Sequence, residues 1–157
     1  LPEPHLHIVL VEPEIPQNTG SIARLAAATR SRLHLVGPLG FSLEERYLKR
    51  AGLDYWPLVD LRTYRGWDDF NRAHAEVPAK FFSTHSRKRY TDAPYARGDY
   101  LIFGCETKGL NRALLDSNAE RAYRIPIFEP GVRSLNLANA VSVVVYEALR
   151  QLNMLSD

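Results

Sequence analysis

The chain has 157 residues, 45% hydrophobic and 24% charged, with a formal net charge of +2 and a pI near 8.8. That is the size and composition of one globular domain over residues 1–157, and it excludes a disordered chain or a binder that acts through bulk positive charge alone. No apolar run reaches the roughly 18 residues of a membrane span, the first residues carry no basic signal-peptide pattern, and the one cysteine, Cys105, excludes an internal disulfide or a cysteine-cluster zinc site; a cytoplasmic protein without membrane or metal is expected.

In chain order, Leu6 to Val11 (LHIVLV) reads as a buried strand, followed by a helix-like stretch from Thr19 to Thr29 and a short strand from Leu33 to Val36. SLEERYLKRAG has a capping box, Ser42 with Glu45, and Gly52 as its stop. Trp67 to Ala75 is a helix candidate with Asp68 and Asp69 in its first turn. Ala79 to Thr84, Tyr100 to Phe103 and Tyr123 to Ile127 read as further strands. Alternation of this kind points to an α/β domain around a mostly parallel sheet flanked by helices. The last segment, Leu135 to Asn153, is valine-rich, but its length favours a helix over a strand. A helix so apolar needs cover on nearly every side, and a second subunit is one source of it.

Three polar loops each follow a strand: PEIPQNTGSIAR, with Glu14, Gln17, Asn18 and Arg24; GCETKGL, with Glu106 and Lys108; and EPGVRSLN, with Arg133, Ser134 and Asn136. Ligand sites in open α/β sheets lie outside the C-terminal strand ends, so the three loops suggest one composite site. Each also has a plain structural reading. Asn18, Thr19 and Ser21 could be helix N-caps, as could Ser134 with Asn136; Gly104 and Gly109 could serve turns; Glu106 and Arg24 could form an ion pair or stand as separate surface charges.

Other chemistries lack their signatures. There is no G-x-G-x-x-G after the first strand, no P-loop, no G-x-S-x-G elbow and no H-E-x-x-H. A lone Cys105 after a strand reads as a small buried residue before it reads as a nucleophile.

Taken in order, PEIPQNTGSIARL, LIFGCETKGL and IPIFEPGVRSLNLANAVSVVVYEALRQL resemble the three motifs of the SPOUT-class RNA ribose methyltransferases. Over essentially the whole chain the resemblance is to the small tRNA 2′-O-methyltransferases that act on the wobble nucleotide, cytidine or uridine 34, of leucine tRNAs (the TrmL- or YibK-like group). It implies an α/β sheet whose C-terminal part is a deep trefoil knot, which no periodicity could reveal. It also implies a homodimer packed partly through the last helix, and S-adenosylmethionine held in the knot. By position, Ser83, Thr84, Gly104, Ile125 and Ser134 would contact the cofactor, with Leu135 and Asn139 as neighbours. Arg24 matches the arginine implicated at the ribose hydroxyl, Asn18 its companion, and Glu106, Ser134 and Asn136 the remaining catalytic positions. Tyr146 matches a tyrosine that handles tRNA near the dimer interface. Arg87, Lys88 and Arg89, with Arg30 and Arg32, are candidates for tRNA backbone contact. A guanidinium almost never deprotonates, so Arg24 is expected to position ribose or phosphate rather than act as the base.

Three departures accompany the resemblance: Cys105 where proline is common, the FFSTHSRKRY continuation, and an EPGV loop one residue longer. Another tRNA or rRNA ribose or a base nitrogen as target, base C5 methylation through Cys105, and a non-catalytic RNA-binding factor on the same fold are the alternatives.

Overall fold

The computed structural model describes residues 2–43 and 56–156. Seven strands are formed among them: β1 (His7–Val11), β2 (Arg32–Val36), β3 (Asp60–Tyr64), β4 (Ala79–Phe82), β5 (Lys88–Arg89), β6 (Tyr100–Phe103) and β7 (Ala122–Arg124). They make one sheet in the order β3-β2-β1-β6-β4-β7-β5, and every strand pairing is parallel. The α-helices among the described residues are α1 (Pro16–Ala28), α2 (Trp67–Ala73), α3 (Arg112–Ser117) and α4 (Leu137–Gln151).

Near-continuous apolar strands are what a sheet covered on both faces requires. Side chains alternate between the two. Ile8, Leu10, Leu101 and Phe103 pack with Ile22 and Ala26 of α1 and with Val141, Val144, Val145 and Ala148 of α4. Val9, Ile102 and Phe81 join Phe70 of α2 and Leu115 of α3 on the opposite face.

β2 and β3 build outward on one side of β1, and every later strand lies on the other, so the order reverses at the β1–β6 pair. Because all pairings are parallel, the loops after β1, β6, β4 and β7 emerge side by side along one edge. β7 runs between β4 and β5, so the chain leaving it emerges at the edge crossed by residues 83–87, the connection between those two strands. At the opposite edge, Lys80 Nζ donates to Asp99 Oδ2 at 2.6 Å, and the same oxygen accepts from Ala96 N at 2.8 Å. This buried pair ties the starts of β4 and β6.

Several elements differ from those the sequence predicts. β3 and β5 were not expected: Asp-Leu-Arg-Thr-Tyr and Lys-Arg are polar, half-exposed or exposed edge strands without an apolar run. The last strand ends at Arg124 rather than Ile127, since Pro126 has no N–H for a ladder. Ser83 and Thr84 lie just beyond β4. Helix α1 begins at Pro16, so Asn18, Thr19 and Ser21 sit inside it rather than at its cap. From Glu44 onward, the helix expected over Ser42 to Gly52 lies outside the described residues. The valine-rich segment is a helix, with Val141, Val144, Val145, Ala148 and Leu149 buried, while Val143 (38%) and Tyr146 (46%) remain exposed.

Candidate active site

The chain leaves β1 through Glu12, whose φ of 54° lies in the left-handed region that non-glycine residues seldom adopt. This sharp turn leads into α1, whose N-cap position, Ile15, has no side-chain acceptor to offer. The first amides of a helix are orphan donors and favour negative charge. Glu106, from the loop after β6, meets that need across the sheet edge. Its Oε1 accepts from Glu14 N at 2.8 Å, and its Oε2 from Ile15 N at 2.7 Å. Glu14 returns the contact, its Oε1 accepting from Thr107 N at 3.0 Å and Thr107 Oγ1 at 2.8 Å. These bonds, the Thr107 amide first, hold the Glu14 carboxyl below the usual carboxylate range. The first two polar loops are thus clasped by reciprocal carboxylate contacts.

The third loop joins through side-chain amides. Asn18 Nδ2 donates to Glu106 Oε2 at 3.3 Å, and Asn136 Nδ2 donates to Asn18 Oδ1 at 3.0 Å. Asn136 Oδ1 accepts from Asn139 N at 3.2 Å and so caps α4. One relay, Glu106–Asn18–Asn136, therefore links all three motifs. Glu106 is neither simply an ion-pair partner nor a loose surface charge, because both its oxygens are taken by these donors.

Beside the relay lies a cavity of about 640 Å³. Phe82, Phe103 and Leu137 give it apolar walls, and Glu106, Lys108 and Arg133 supply charge. Gly104 lies on its wall and permits a backbone crossing: a Cβ there would stand 2.1 Å from the Gly109 carbonyl carbon and 2.2 Å from Leu110 N. Gly109 itself has φ +66° and donates its N–H to the Cys105 carbonyl at 2.9 Å. No larger residue could replace Gly104 without moving backbone, and at Gly109, where a Cβ would meet open space, it is the left-handed φ that favours glycine.

Of the expected cofactor residues, Ser83, Thr84, Gly104, Ile125, Ser134 and Leu135 line this cavity. Asn139 does not; it is exposed in the first turn of α4 and enters the relay through its backbone. Among the expected catalytic residues, Glu106 and Ser134 line the cavity, Asn18 and Asn136 reach it through the relay, and Arg24 is exposed on α1, six residues beyond Asn18. Lys88 and Arg89 are partly engaged within the chain: Lys88 Nζ donates to the Glu120 carbonyl at 2.7 Å, and Arg89 Nε to Asp92 Oδ2 at 3.2 Å. Arg87 is exposed beside them. Cys105 is half-buried, its Sγ 3.7 Å from the Gly109 carbonyl oxygen.

His85 on the cavity wall and the Glu14–Thr107 clasp were not singled out in the sequence. The position of His85 directly after Ser83 and Thr84 was the available signal for the first. The second had none, because its partners are 93 residues apart. No group of three or more His, Cys, Asp or Glu among the described residues could hold a metal ion, and no described helix is long and apolar enough to cross a membrane.

A parallel sheet, a glycine-built cavity at the C-terminal ends of β4, β6 and β7, and three interlocked polar loops beside it form a ligand site on an α/β fold. The chain belongs to the SpoU rRNA Methylase family, whose model matches residues 5–146. It is 50% identical over 148 residues, covering 92% of this chain and 94% of the relative, to a tRNA (cytidine(34)-2′-O)-methyltransferase of Burkholderia pseudomallei. A solved structure that gives insight into the 2-OH methylation of C/U34 on tRNA superposes with a TM-score of 0.86 at 49% identity, covering 96% of this chain and 99% of that one. An AdoMet-bound rRNA methyltransferase from Sinorhizobium meliloti gives a TM-score of 0.85 at 26% identity, covering 99% of this chain and 59% of that one. The shared architecture is the mostly parallel, helix-flanked SPOUT fold with its C-terminal trefoil knot.

Proposed function

We propose that this protein transfers a methyl group from S-adenosylmethionine to the ribose 2′-hydroxyl of the wobble nucleotide, cytidine or uridine 34, of tRNA. The observation that carries this reading is the Glu106–Asn18–Asn136 relay at the edge of the cavity, because it joins the three loops of a ribose methyltransferase into one site.

The cavity fits the cofactor. About 640 Å³ is within the range of cofactor sites, and the Gly104 wall offers the close backbone approach that an adenine needs. Ser83, Thr84, Gly104, Ile125, Ser134 and Leu135 would hold it, with Asn139 bracing the loop from α4. Bound there, S-adenosylmethionine supplies a methyl already activated on a sulfonium, which leaves the protein alignment and one proton to manage.

The planar guanidinium of Arg24 holds the ribose or its phosphate while alkoxide character develops. Glu106 positions: with Glu14 N, Ile15 N and Asn18 Nδ2 on its oxygens, it fixes loop geometry and is not the proton acceptor. Asn18 and Asn136 transmit that geometry to the loop that carries Ser134. Arg87, Lys88 and Arg89 contact the tRNA backbone.

We further propose leucine tRNAs as substrates, a single domain over residues 1–157, a cytoplasmic location and a homodimer. Exposed Val143 and Tyr146 on α4, with Ile15 exposed at the start of α1, support an apolar contact between subunits, and Tyr146 is assigned to tRNA handling near it. Labelled-methyl transfer to total tRNA, followed by mapping of the modified nucleotide and its isoacceptor, tests the proposal. Cofactor binding without transfer to any RNA would overturn it.

A further inference from the structure

The loop between β7 and α4 begins and ends on the cavity wall, with Ile125 at one end and Arg133, Ser134 and Leu135 at the other. Between them Phe128 is 95% exposed, more than any other large apolar side chain among the described residues. The loop around it is built rather than frayed: Gly131 N donates to Glu129 Oε1 at 3.0 Å, and Val132 N to the Glu129 carbonyl at 3.1 Å. A ring left in water contributes nothing to the fold. Phe128 follows Ile125 by three residues, so the two Cα atoms are at most about 10 Å apart. Arg133 makes no ion pair or hydrogen bond within the described residues and faces the same cavity.

We propose that Phe128 is the stacking platform for the wobble base during methylation, with Arg133 beside it on the adjoining phosphate. This rests on the wobble-ribose function above. A nucleotide whose 2′-hydroxyl enters a cavity must leave the stack of its own loop, and its base then needs a new π-face. An aromatic ring accepts any base, whereas hydrogen-bond readout would separate the N4 donor of cytidine from the O4 acceptor of uridine. A bare phenylalanine next to the site therefore suits an enzyme that takes both. The neighbouring cation makes RNA the better fit than a second copy of this chain, whose apolar contact would gain nothing from an unpaired guanidinium.

The test compares Phe128→Ala, Phe128→Leu and Phe128→Trp with wild type on an anticodon stem-loop, alongside S-adenosylmethionine affinity by calorimetry and mass by sedimentation. The expected result is a loss of about tenfold in kcat/KM for Ala and for Leu, near wild-type values for Trp, and unchanged cofactor affinity and mass. On a stem-loop whose residue 34 is abasic but keeps its 2′-hydroxyl, wild type and Phe128→Ala should be equal. Rescue by Leu, a full-sized loss on the abasic loop, a parallel loss of cofactor affinity or a change of mass would each overturn the proposal. Wild-type protein that leaves residue 34 unmethylated would overturn the underlying function as well, whereas methylation indifferent to Phe128 overturns only the stacking.

Discussion

Asn136 donates its side-chain amide to Asn18 Oδ1 at 3.0 Å across 118 residues of sequence, while its other side-chain atom caps α4. One residue thus performs a local and a long-range task, and substitution can separate them. In Asn136→Asp a carboxylate still caps the helix, so stability should hold within about 1 kcal/mol. The donation to Asn18 is lost, and the loop that bears Ser134 is released. Methyl transfer should fall about 10- to 100-fold, the usual penalty for misplacing reacting groups by an ångström. Single-turnover kinetics with thermal melts would check this; full turnover would show the relay to be incidental.

Glu106→Gln tests the clasp from its other end. The amide keeps one acceptor but turns the other position into a donor facing the Ile15 or Glu14 amide, and it removes negative charge from the start of α1. A loss of about 1–2 kcal/mol in unfolding free energy is expected, together with reduced transfer. If Glu106 were instead the proton acceptor, transfer would collapse with stability intact and with a lost limb in the pH–rate profile.

Arg24→Lys keeps the charge but not the planar fork. Transfer should drop by at least about tenfold, with cofactor affinity unchanged. Turnover and tRNA affinity both equal to wild type would show that the guanidinium geometry is irrelevant.

At the far edge of the sheet, the buried Lys80–Asp99 pair has side chains only 11% and 1% exposed. Removing one partner strands the other charge, so Lys80→Met should cost about 3–5 kcal/mol in urea unfolding, whereas the double change Lys80→Met, Asp99→Leu should recover part of that cost. A negligible single-mutant effect would contradict the pairing.

A second polar cluster sets the expected acid limit of stability. His7 Nδ1 lies 2.8 Å from His34 Nε2, His34 Nδ1 lies 2.8 Å from the Tyr64 hydroxyl, and that hydroxyl lies 2.9 Å from His74 Nε2. Burial first, then Arg32 beside His7 and the neighbouring imidazoles beside His34, pushes His7 down to about 4 and His34 down to about 2. His74 is lowered too, chiefly by burial. Each is neutral in the folded protein at pH values where the unfolded chain already binds a proton. Their contribution is therefore complete above about pH 6.5 and is lost as pH falls toward 4 for His7 and further for His34. Melting temperature measured from pH 7.5 to 4 should decline from near 6.5 downward; a flat profile would contradict the neutral cluster.

The three loops were legible in the sequence because glycine, asparagine and serine stand out after apolar strands. The resemblance then assigned Asn18, Glu106 and Asn136 to one site. Their pairing was not legible, since nothing local to Glu106 says that the amides it serves belong to residues 14 and 15. β3 and β5 escaped notice because edge strands need no apolar run, and the helix over Ser42 to Gly52 falls mostly outside the described residues. Nothing in the sequence singles out Phe128, which the fold leaves uncovered in the loop between β7 and α4.

The central claim is tested most directly by methyl transfer to a leucine-tRNA anticodon stem-loop, run in parallel with the same loop carrying 2′-deoxycytidine at position 34. One methyl on the ribose of residue 34 is expected in the first and none in the second. Equal labelling of both, or a methyl mapped to any other nucleotide, would contradict it.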